Sequence, residues 1–223
     1  MGETTRLDEA TVSEPDTTAA PESGGLPAMT SFRPRLLEIV TDPAVLLRLP
    51  EPIKLASGEM SRDFIDGKHA VDDPDDLELV GRAMVAAARE AGADFDAVGG
   101  LVLGAAPFTF AVAQAARCRW FLIRKQPKGR GTNQSFEGAR ISTGDRVMLV
   151  DDVVTTGGSI REAYERVVGV GGEVVFATTL VDRSDFASEF FRSVGVPYVP
   201  MLRYSDLGIE PVGHGPRTAA PAG

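Results

Sequence analysis

The chain has 223 residues, of which 43% are hydrophobic and 25% charged, enough apolar material for one globular domain with a tail. Its 32 acidic and 23 basic side chains give a net charge of -9, which excludes a uniformly cationic surface for nucleic acid. A single cysteine, Cys118, excludes an intramolecular disulfide and a multi-cysteine metal site. With neither a secretory signal nor an apolar run of roughly 18 residues, we expect a cytoplasmic protein without membrane or nucleic-acid partners.

The two ends of the chain differ in composition from its middle. Residues 1–30 are rich in Thr, Ser, Glu, Pro, Ala and Gly and contain almost no large apolar side chains. Such a segment buries too little apolar surface to offset its ordering entropy, which predicts a disordered acidic tail. Residues 213–223 read as a second, shorter loose end, so we place a single domain at residues 31–212.

Between the tails, helical and strand patterns alternate. Apolar side chains recur at helical spacing from Leu77 to Ala91, after an acidic run that is typical of a helix start. Short apolar runs predict strands at 97–103, 120–123, 146–152, 173–182 and 197–202, with helices at 107–117, 157–170 and 186–194 between them. This alternation predicts an α/β fold whose parallel sheet is covered on both faces. In such sheets, ligands bind beyond the carboxyl ends of the strands.

The most informative segment is VMLVDDVVTTGGS, residues 147–159. Its apolar run leads into Asp151 and Asp152, and two adjacent carboxylates after a buried strand are costly unless they have partners. The TTGGS turn that follows offers backbone N–H groups and hydroxyls at a helix N-terminus, which suit a phosphate monoester. Because carboxylates would repel a phosphate in the same place, they are better suited to nearby sugar hydroxyls. The segment therefore predicts a site for a phosphorylated ribose.

This run resembles the 5-phosphoribosyl-1-pyrophosphate (PRPP) motif of the type I phosphoribosyltransferases. Further segments resemble the orotate phosphoribosyltransferases: LASGEMSRDFIDGK (55–68), VGGLVLGAAPFTFAVA (98–113), FLIRKQPKGRG (121–131), LVDR (180–183) and YSDLGIEP (204–211). The resemblance covers about residues 31–212. It implies a type I phosphoribosyltransferase fold, a Rossmann-like parallel sheet with a small N-terminal hood that binds substrate.

The activity implied is displacement of pyrophosphate from C1 of PRPP by a nitrogen of orotate, which forms orotidine 5′-phosphate for pyrimidine biosynthesis. Positive charge then develops on the ribose and negative charge on the leaving group. Asp151 and Asp152 would accept the ribose hydroxyls and stabilise the cationic ring, and they would contact the implied Mg²⁺ cofactor directly or through water. The rest of the motif would bind PRPP through Val153, Val154, Thr155, Thr156, Gly157, Gly158 and Ser159.

The next candidate segment is a loop that contains Gly and Pro. It carries four cationic side chains within seven residues: Arg124, Lys125, Lys128 and Arg130. Such a cluster is either a solvated basic loop or a binding site for an anion such as pyrophosphate. The resemblance identifies it as the family's mobile catalytic loop, with Lys128 and Arg130 in catalytic positions. That loop reaches into the neighbouring subunit's site, so a homodimer is implied.

The resemblance also places the acceptor site. Arg183 stands where the family binds orotate, and a guanidinium can grip a carboxylate with two parallel hydrogen bonds. Phe64 and Ile65 occupy the positions that lie against the pyrimidine ring, and Thr155 would also contact orotate. From the residues alone, Arg183 is also compatible with a helix-capping or ion-pairing role beside Asp182 or Asp185, and Phe64 with a place in the core.

Two departures from the family pattern leave other interpretations open. Arg130 stands where the loop usually has a histidine, and an arginine cannot donate a proton near neutral pH. Ala56 stands where many members have a lysine. The alternatives are a phosphoribosyltransferase for another acceptor, such as a purine or a carboxylated heterocycle of a secondary pathway, a non-catalytic PRPP-sensing regulator, and a structural protein on a reused fold.

Overall fold

The N-terminal part of the fold is a helix followed by an antiparallel hairpin. The computed structural model describes residues 26–55, 58–125 and 135–213. This part consists of α1 (Met29–Thr41), β1 (Leu46–Lys54) and β2 (Met60–Ile65). The sequence patterns do not predict β1, because Pro50 and Pro52 lack the amide hydrogens of a regular ladder. In the structure, the pairing register shifts between Arg48 and Ile53, which accommodates both prolines. The hairpin occupies the place of the expected hood.

The remaining strands form one six-stranded sheet, which confirms the predicted fold class. They are β3 (Ala97–Leu101), β4 (Arg119–Ile123), β5 (Phe136–Gly138), β6 (Arg146–Val154), β7 (Glu173–Asp182) and β8 (Leu202–Arg203). Their spatial order is β5-β4-β3-β6-β7-β8, and all neighbours pair in parallel except β4 and β5. Because the central strands are buried on both faces, their sequences are nearly continuous apolar runs.

Helices cover both faces of this sheet. They are α2 (Pro74–Glu90), α3 (Ala106–Ala116), α4 (Gly158–Gly169) and α5 (Phe186–Ser193). Alternate β6 side chains separate two cores: Met148 packs on the side of α1, α2 and α3, and Leu149 on the side of α4 and α5. Helix α2 begins as predicted, since the Asp73 carboxylate accepts hydrogen bonds from the amides of Asp75 and Asp76. Among the helices of the described ranges, none has the length and apolar character needed to cross a bilayer.

The last predicted strand, 197–202, is only partly correct. The regular strand β8 is Leu202–Arg203, and before it a single bridge joins Tyr198 to Ala177 of β7. The segment does run beside β7: the Ala177 amide donates to the Pro197 carbonyl over 3.0 Å. Pro197 and Pro200 lack amide hydrogens, so the ladder is not continuous.

Candidate active site

A cleft with a volume of about 590 Å³ opens at the carboxyl ends of β3, β6 and β7. This is the edge at which ligands bind in parallel α/β sheets. The cleft is lined by Leu55, Phe64, Ile65, Lys68, Leu101, Val102, Leu103, Gly104, Lys125, Asp151, Asp152, Val153, Val154, Thr155, Thr156, Gly157, Gly158, Ser159, Glu162 and Arg183. The hood therefore closes one side of the cleft, and the loops after the strands form the other.

The cleft brings together the described candidates for PRPP and orotate binding, apart from Arg124. The Arg124 guanidinium instead donates to a Glu137 carboxylate oxygen over 2.7 Å, at the β4–β5 edge. Lys128, Arg130 and Ala56 lie outside the described residues. Residues Leu101–Gly104 also line the cleft, although they are not among the predicted site residues; their position at the end of a predicted strand could have indicated this.

Two adjacent carboxylates stand at the end of β6. Asp151 is buried, and its Oδ1 accepts the Asp152 amide over 3.0 Å, while Asp152 Oδ1 accepts the Val153 amide over 2.7 Å. Burial and the neighbouring Asp152 charge raise the pKa of Asp151 well above its ordinary value. The pair is thus held by local backbone donors, with Asp152 half-buried at the cleft surface.

The turn between β6 and α4 has the geometry of an anion site. Gly157 adopts φ +72°, a left-handed conformation that favours glycine, and α4 begins at the next residue. The Thr155 carbonyl accepts a hydrogen bond from the Ser184 hydroxyl, which ties the turn to the end of β7. With its first amides not bonded within the helix, the N-terminus of α4 provides donors and a positive dipole end for a phosphate.

The loop after β3 lies tightly against the carboxylates. A Cβ added to Gly104 would stand 2.5 Å from Asp152 Oδ1, so a larger residue there would require the loop or the Asp152 carboxylate to shift. The loop and the β6–α4 turn therefore form two walls around the same carboxylate. Because the loop after β3 lies so close to Asp152, any ligand of this carboxylate must bind on the open side of the cleft.

Arg183 is the largest polar side chain buried in the cleft, with 1% of its surface exposed. Its Nη1 donates to the Asp63 carbonyl over 2.8 Å, and its Nη2 donates to the Ser61 hydroxyl over 3.1 Å. The Nε–H is buried and has no acceptor among the described residues. Burial lowers the pKa of Arg183, opposed by the nearby charge of Asp63. Two of its hydrogen bonds run to the hood and a third to the Glu210 carbonyl, and among the described residues no ion pair to Asp182 or Asp185 is formed.

Asp182 does not pair with Arg183 in the described part of the chain and lies at the end of β7, beside the β6–α4 turn. Its carboxylate accepts the Ser184 amide and the Tyr198 hydroxyl, each over 3.1 Å. Burial raises the pKa of Asp182 to about 6. Since the Ser184 hydroxyl also donates to the Thr155 carbonyl, this buried network supports the β6–α4 turn.

Comparison with known proteins agrees with this geometry. The family model of the phosphoribosyl transferase domain matches residues 70–189. An orotate phosphoribosyltransferase of Thermococcus gammatolerans is 39% identical over 153 residues, which cover 69% of this chain and 80% of that protein. The chain belongs to the orotate phosphoribosyltransferase family.

Other members of the orotate phosphoribosyltransferase family extend the match. The enzyme of Methanothermobacter thermautotrophicus is 37% identical over 176 residues, covering 79% of this chain and 94% of its own. The crystal structure of Mycobacterium tuberculosis orotate phosphoribosyltransferase in complex with PRPP is 34% identical with a TM-score of 0.65, covering 80% of this chain and 99% of that one. The orotate phosphoribosyltransferase of Aeropyrum pernix is 28% identical with a TM-score of 0.66, covering 77% of this chain and 95% of that one.

Proposed function

We propose that this protein transfers the 5-phosphoribosyl group of PRPP to orotate, releasing pyrophosphate and forming orotidine 5′-phosphate. The observation that carries the proposal is the place of Arg183 in the same cleft as Asp151, Asp152 and the phosphate turn. Family membership supports PRPP as the donor. The orotate assignment is supported by the relatives named orotate phosphoribosyltransferase and by the chemistry of Arg183.

Arg183 favours an anionic acceptor. Within the described residues, its guanidinium bonds only to a hydroxyl and to backbone carbonyls, so its positive charge is buried without a paired carboxylate. A buried charge of this kind is costly until an opposite charge arrives. The orotate carboxylate would supply that charge, and the buried Nε–H offers a donor for it.

In the proposed reaction, the bond from C1 to the pyrophosphate oxygen breaks and a bond from C1 to an orotate nitrogen forms, with inversion at C1. The N–H bond of that nitrogen also breaks, and its proton is released to the departing pyrophosphate or to water. Asp151 and Asp152 accept the ribose hydroxyls and stabilise positive charge on the ring. The turn Thr155–Ser159 and the N-terminus of α4 hold the 5-phosphate. Lys125 binds the pyrophosphate, as do Arg124, Lys128 and Arg130 in the roles predicted for them from the sequence. Phe64 and Ile65 lie against the pyrimidine.

The two aspartates also fit the Mg²⁺ that the family resemblance implies. Mg²⁺ binds proteins through one or two carboxylates and takes its other ligands from phosphates and water. The described residues contain no group of three or more His, Cys, Asp or Glu side chains able to enclose a metal, so the substrate would supply the remaining oxygens. When bound, the cation would neutralise charge on the leaving pyrophosphate.

The proposal also includes an oligomeric state, a cellular location and the limits of the domain. A homodimer is proposed because, in the family that the chain resembles, the loop around Lys128 reaches into the neighbouring subunit's site. The proposed domain at residues 31–212 ends at the buried Val212, and α1 begins two residues before its lower limit, at Met29. Most of the predicted tails lies outside the described residues, and a cytoplasmic location stays a prediction.

Pyrophosphate release from PRPP and Mg²⁺ tests the function. The assay is run with orotate and, in parallel, with uracil, hypoxanthine, guanine, xanthine and no acceptor; uracil is the matched control because it lacks the carboxylate. Release that depends on orotate, with loss of its ultraviolet absorbance, is the expected result. Release with another base alone would overturn the role of Arg183, and tight PRPP binding without release would favour a regulator.

A further inference from the structure

Helix α4 contacts a second part of the cleft besides the phosphate turn. Arg166, two turns after Ser159, reaches back to the backbone at the end of β4. Its Nη1 donates to the Arg124 carbonyl over 3.1 Å, and its Nη2 donates to the Lys125 carbonyl over 3.2 Å. These two carbonyls begin the cationic segment 124–130. One guanidinium therefore holds two consecutive peptide groups at the start of that segment.

The same guanidinium is itself fixed in place. Its Nη2 also donates to a Glu162 carboxylate oxygen over 2.6 Å, one helical turn earlier, and Glu162 lines the cleft. The Arg166 side chain is only 25% exposed, so these bonds are partly shielded from water. A planar guanidinium with several donors is suited to bridging a carboxylate and two carbonyls, whereas an ammonium is not.

The backbone held by Arg166 carries Lys125, which lines the cleft beside the aspartates. Burial and the Asp152 charge raise the pKa of Asp151, and the positive charge of Lys125 opposes them. Lys125 is thus close enough to act electrostatically on the carboxylate end of the site. Its side-chain direction depends on the backbone dihedrals of residues 124 and 125, whose carbonyls Arg166 binds.

We propose that Arg166 is a positioning residue for PRPP binding: it fixes the peptide groups of Arg124 and Lys125 so that the Lys125 ammonium faces the pyrophosphate. Arg166 touches neither substrate in this scheme and acts only through Lys125. The inference rests on the proposed function for the identity of its ligand. Helix α4 then orients both ends of PRPP, the 5-phosphate through its N-terminus and the pyrophosphate through Arg166.

Calorimetric titration of PRPP in the presence of Mg²⁺ tests this with Arg166→Met. We expect PRPP to bind about tenfold more weakly, which corresponds to the loss of charge-assisted hydrogen bonds. The KM for orotate should change less than about twofold, since Arg183 and the hood are untouched. The conservative variant Arg166→Lys, which cannot hold both carbonyls, should fall between the wild type and Arg166→Met.

Arg82→Met is the matched control. Arg82 on α2 pairs with Glu78 four residues earlier, as Arg166 does with Glu162, but this ion pair lies on the solvent face of α2. Both variants should melt within a few degrees of the wild type, and Arg82→Met should bind PRPP normally. Equal weakening of PRPP binding in both variants would reduce Arg166 to a helix-stabilising residue and overturn the proposal.

A double-mutant cycle with Lys125→Ala distinguishes action through Lys125 from a direct effect. In the Lys125→Ala background, Arg166→Met should change the PRPP dissociation constant by less than about twofold. A full tenfold effect in that background, or no effect in the wild-type background, would overturn the inference. If the wild type binds PRPP without turning over orotate, the proposed function is wrong, but the double-mutant cycle still tests the role of Arg166. If the wild type does not bind PRPP, both the proposed function and the role of Arg166 are overturned.

Discussion

Asp182 and Arg183 are neighbours in the chain, and burial disfavours the charged form of each, so it raises the pKa of Asp182 and lowers the pKa of Arg183. Arg183 extends to β2 of the hood, and its buried Nε–H has no acceptor within the described ranges, whereas Asp182 accepts hydrogen bonds from Ser184 and Tyr198. Residue-scale predictions follow for both side chains. One concerns acceptor binding and the other concerns stability.

Arg183→Met should lower kcat/KM for orotate by a factor of about 100 or more, as expected when one partner of a buried charge pair is removed. PRPP affinity should stay within about twofold, because the aspartates and the phosphate turn are unchanged. Steady-state kinetics and PRPP titration measure both effects, with the melting temperature checking the fold. An equal loss in PRPP affinity would place Arg183 outside the acceptor site.

Asp182→Asn should remove a pH dependence of stability. Burial raises the pKa of Asp182 to about 6 from the ordinary value of 3.8, so between these values the folded state retains a proton that the unfolded chain has released. The free energy of unfolding therefore falls as pH rises through this range, by up to about 3 kcal/mol from this group. Above pH 6, the contribution stays lost.

Urea unfolding from about pH 4 to pH 7 measures this slope. The asparagine variant should lose the contribution of this one group, while other buried carboxyls such as Asp151 still titrate. Glu51→Gln, at an exposed position of β1, is the control and should keep the wild-type curve. Identical pH profiles for the wild type and Asp182→Asn would contradict the assignment.

At the scale of elements, the cleft depends on how closely the β3–α3 loop approaches the end of β6. Gly104→Ala should lower PRPP affinity at least tenfold, because the new methyl would stand 2.5 Å from Asp152 Oδ1 and push the loop or the carboxylate out of place. PRPP titration measures this. Gly169→Ala is the control, since a Cβ there meets nothing within 4 Å. Normal PRPP binding by Gly104→Ala would show that the loop yields freely.

At the scale of the whole molecule, each active site of the proposed homodimer contains residues of both subunits. Two inactive variants with changes on different sides of the site should therefore restore activity when their subunits are mixed. Asp152→Asn and Lys128→Ala should each be nearly inactive as homodimers. After mixing under conditions that exchange subunits, about a quarter of wild-type activity should return, because half of the dimers are mixed and each contains one intact site. Activity assays before and after exchange check this. No recovery, with exchange confirmed by native mass spectrometry, would mean that Lys128 serves its own subunit's site.

Sequence patterns predicted α2, α3, α4 and α5 and the strands β3, β4, β6 and β7, because helical and strand periods and helix caps are local properties of the chain. The patterns did not predict α1, β2 or the spatial order of the strands. They did not predict β1, which contains two prolines, or β5, which spans only Phe136–Gly138 at the sheet edge. Within the site, the motif at 147–159 marked the carboxylates and the phosphate turn directly, since these residues are consecutive.

The types of chemical group that line the cleft could be inferred from the sequence: two carboxylates, a helix N-terminus, the cation of Lys125 and the arginine after β7. Only the tertiary structure decided what those groups bond to. Arg183 meets Ser61 across 122 residues, and Arg166 meets the carbonyls of Arg124 and Lys125 across 42 and 41. Such pairings depend on how the hood and α4 pack against the sheet, and no local period encodes that packing.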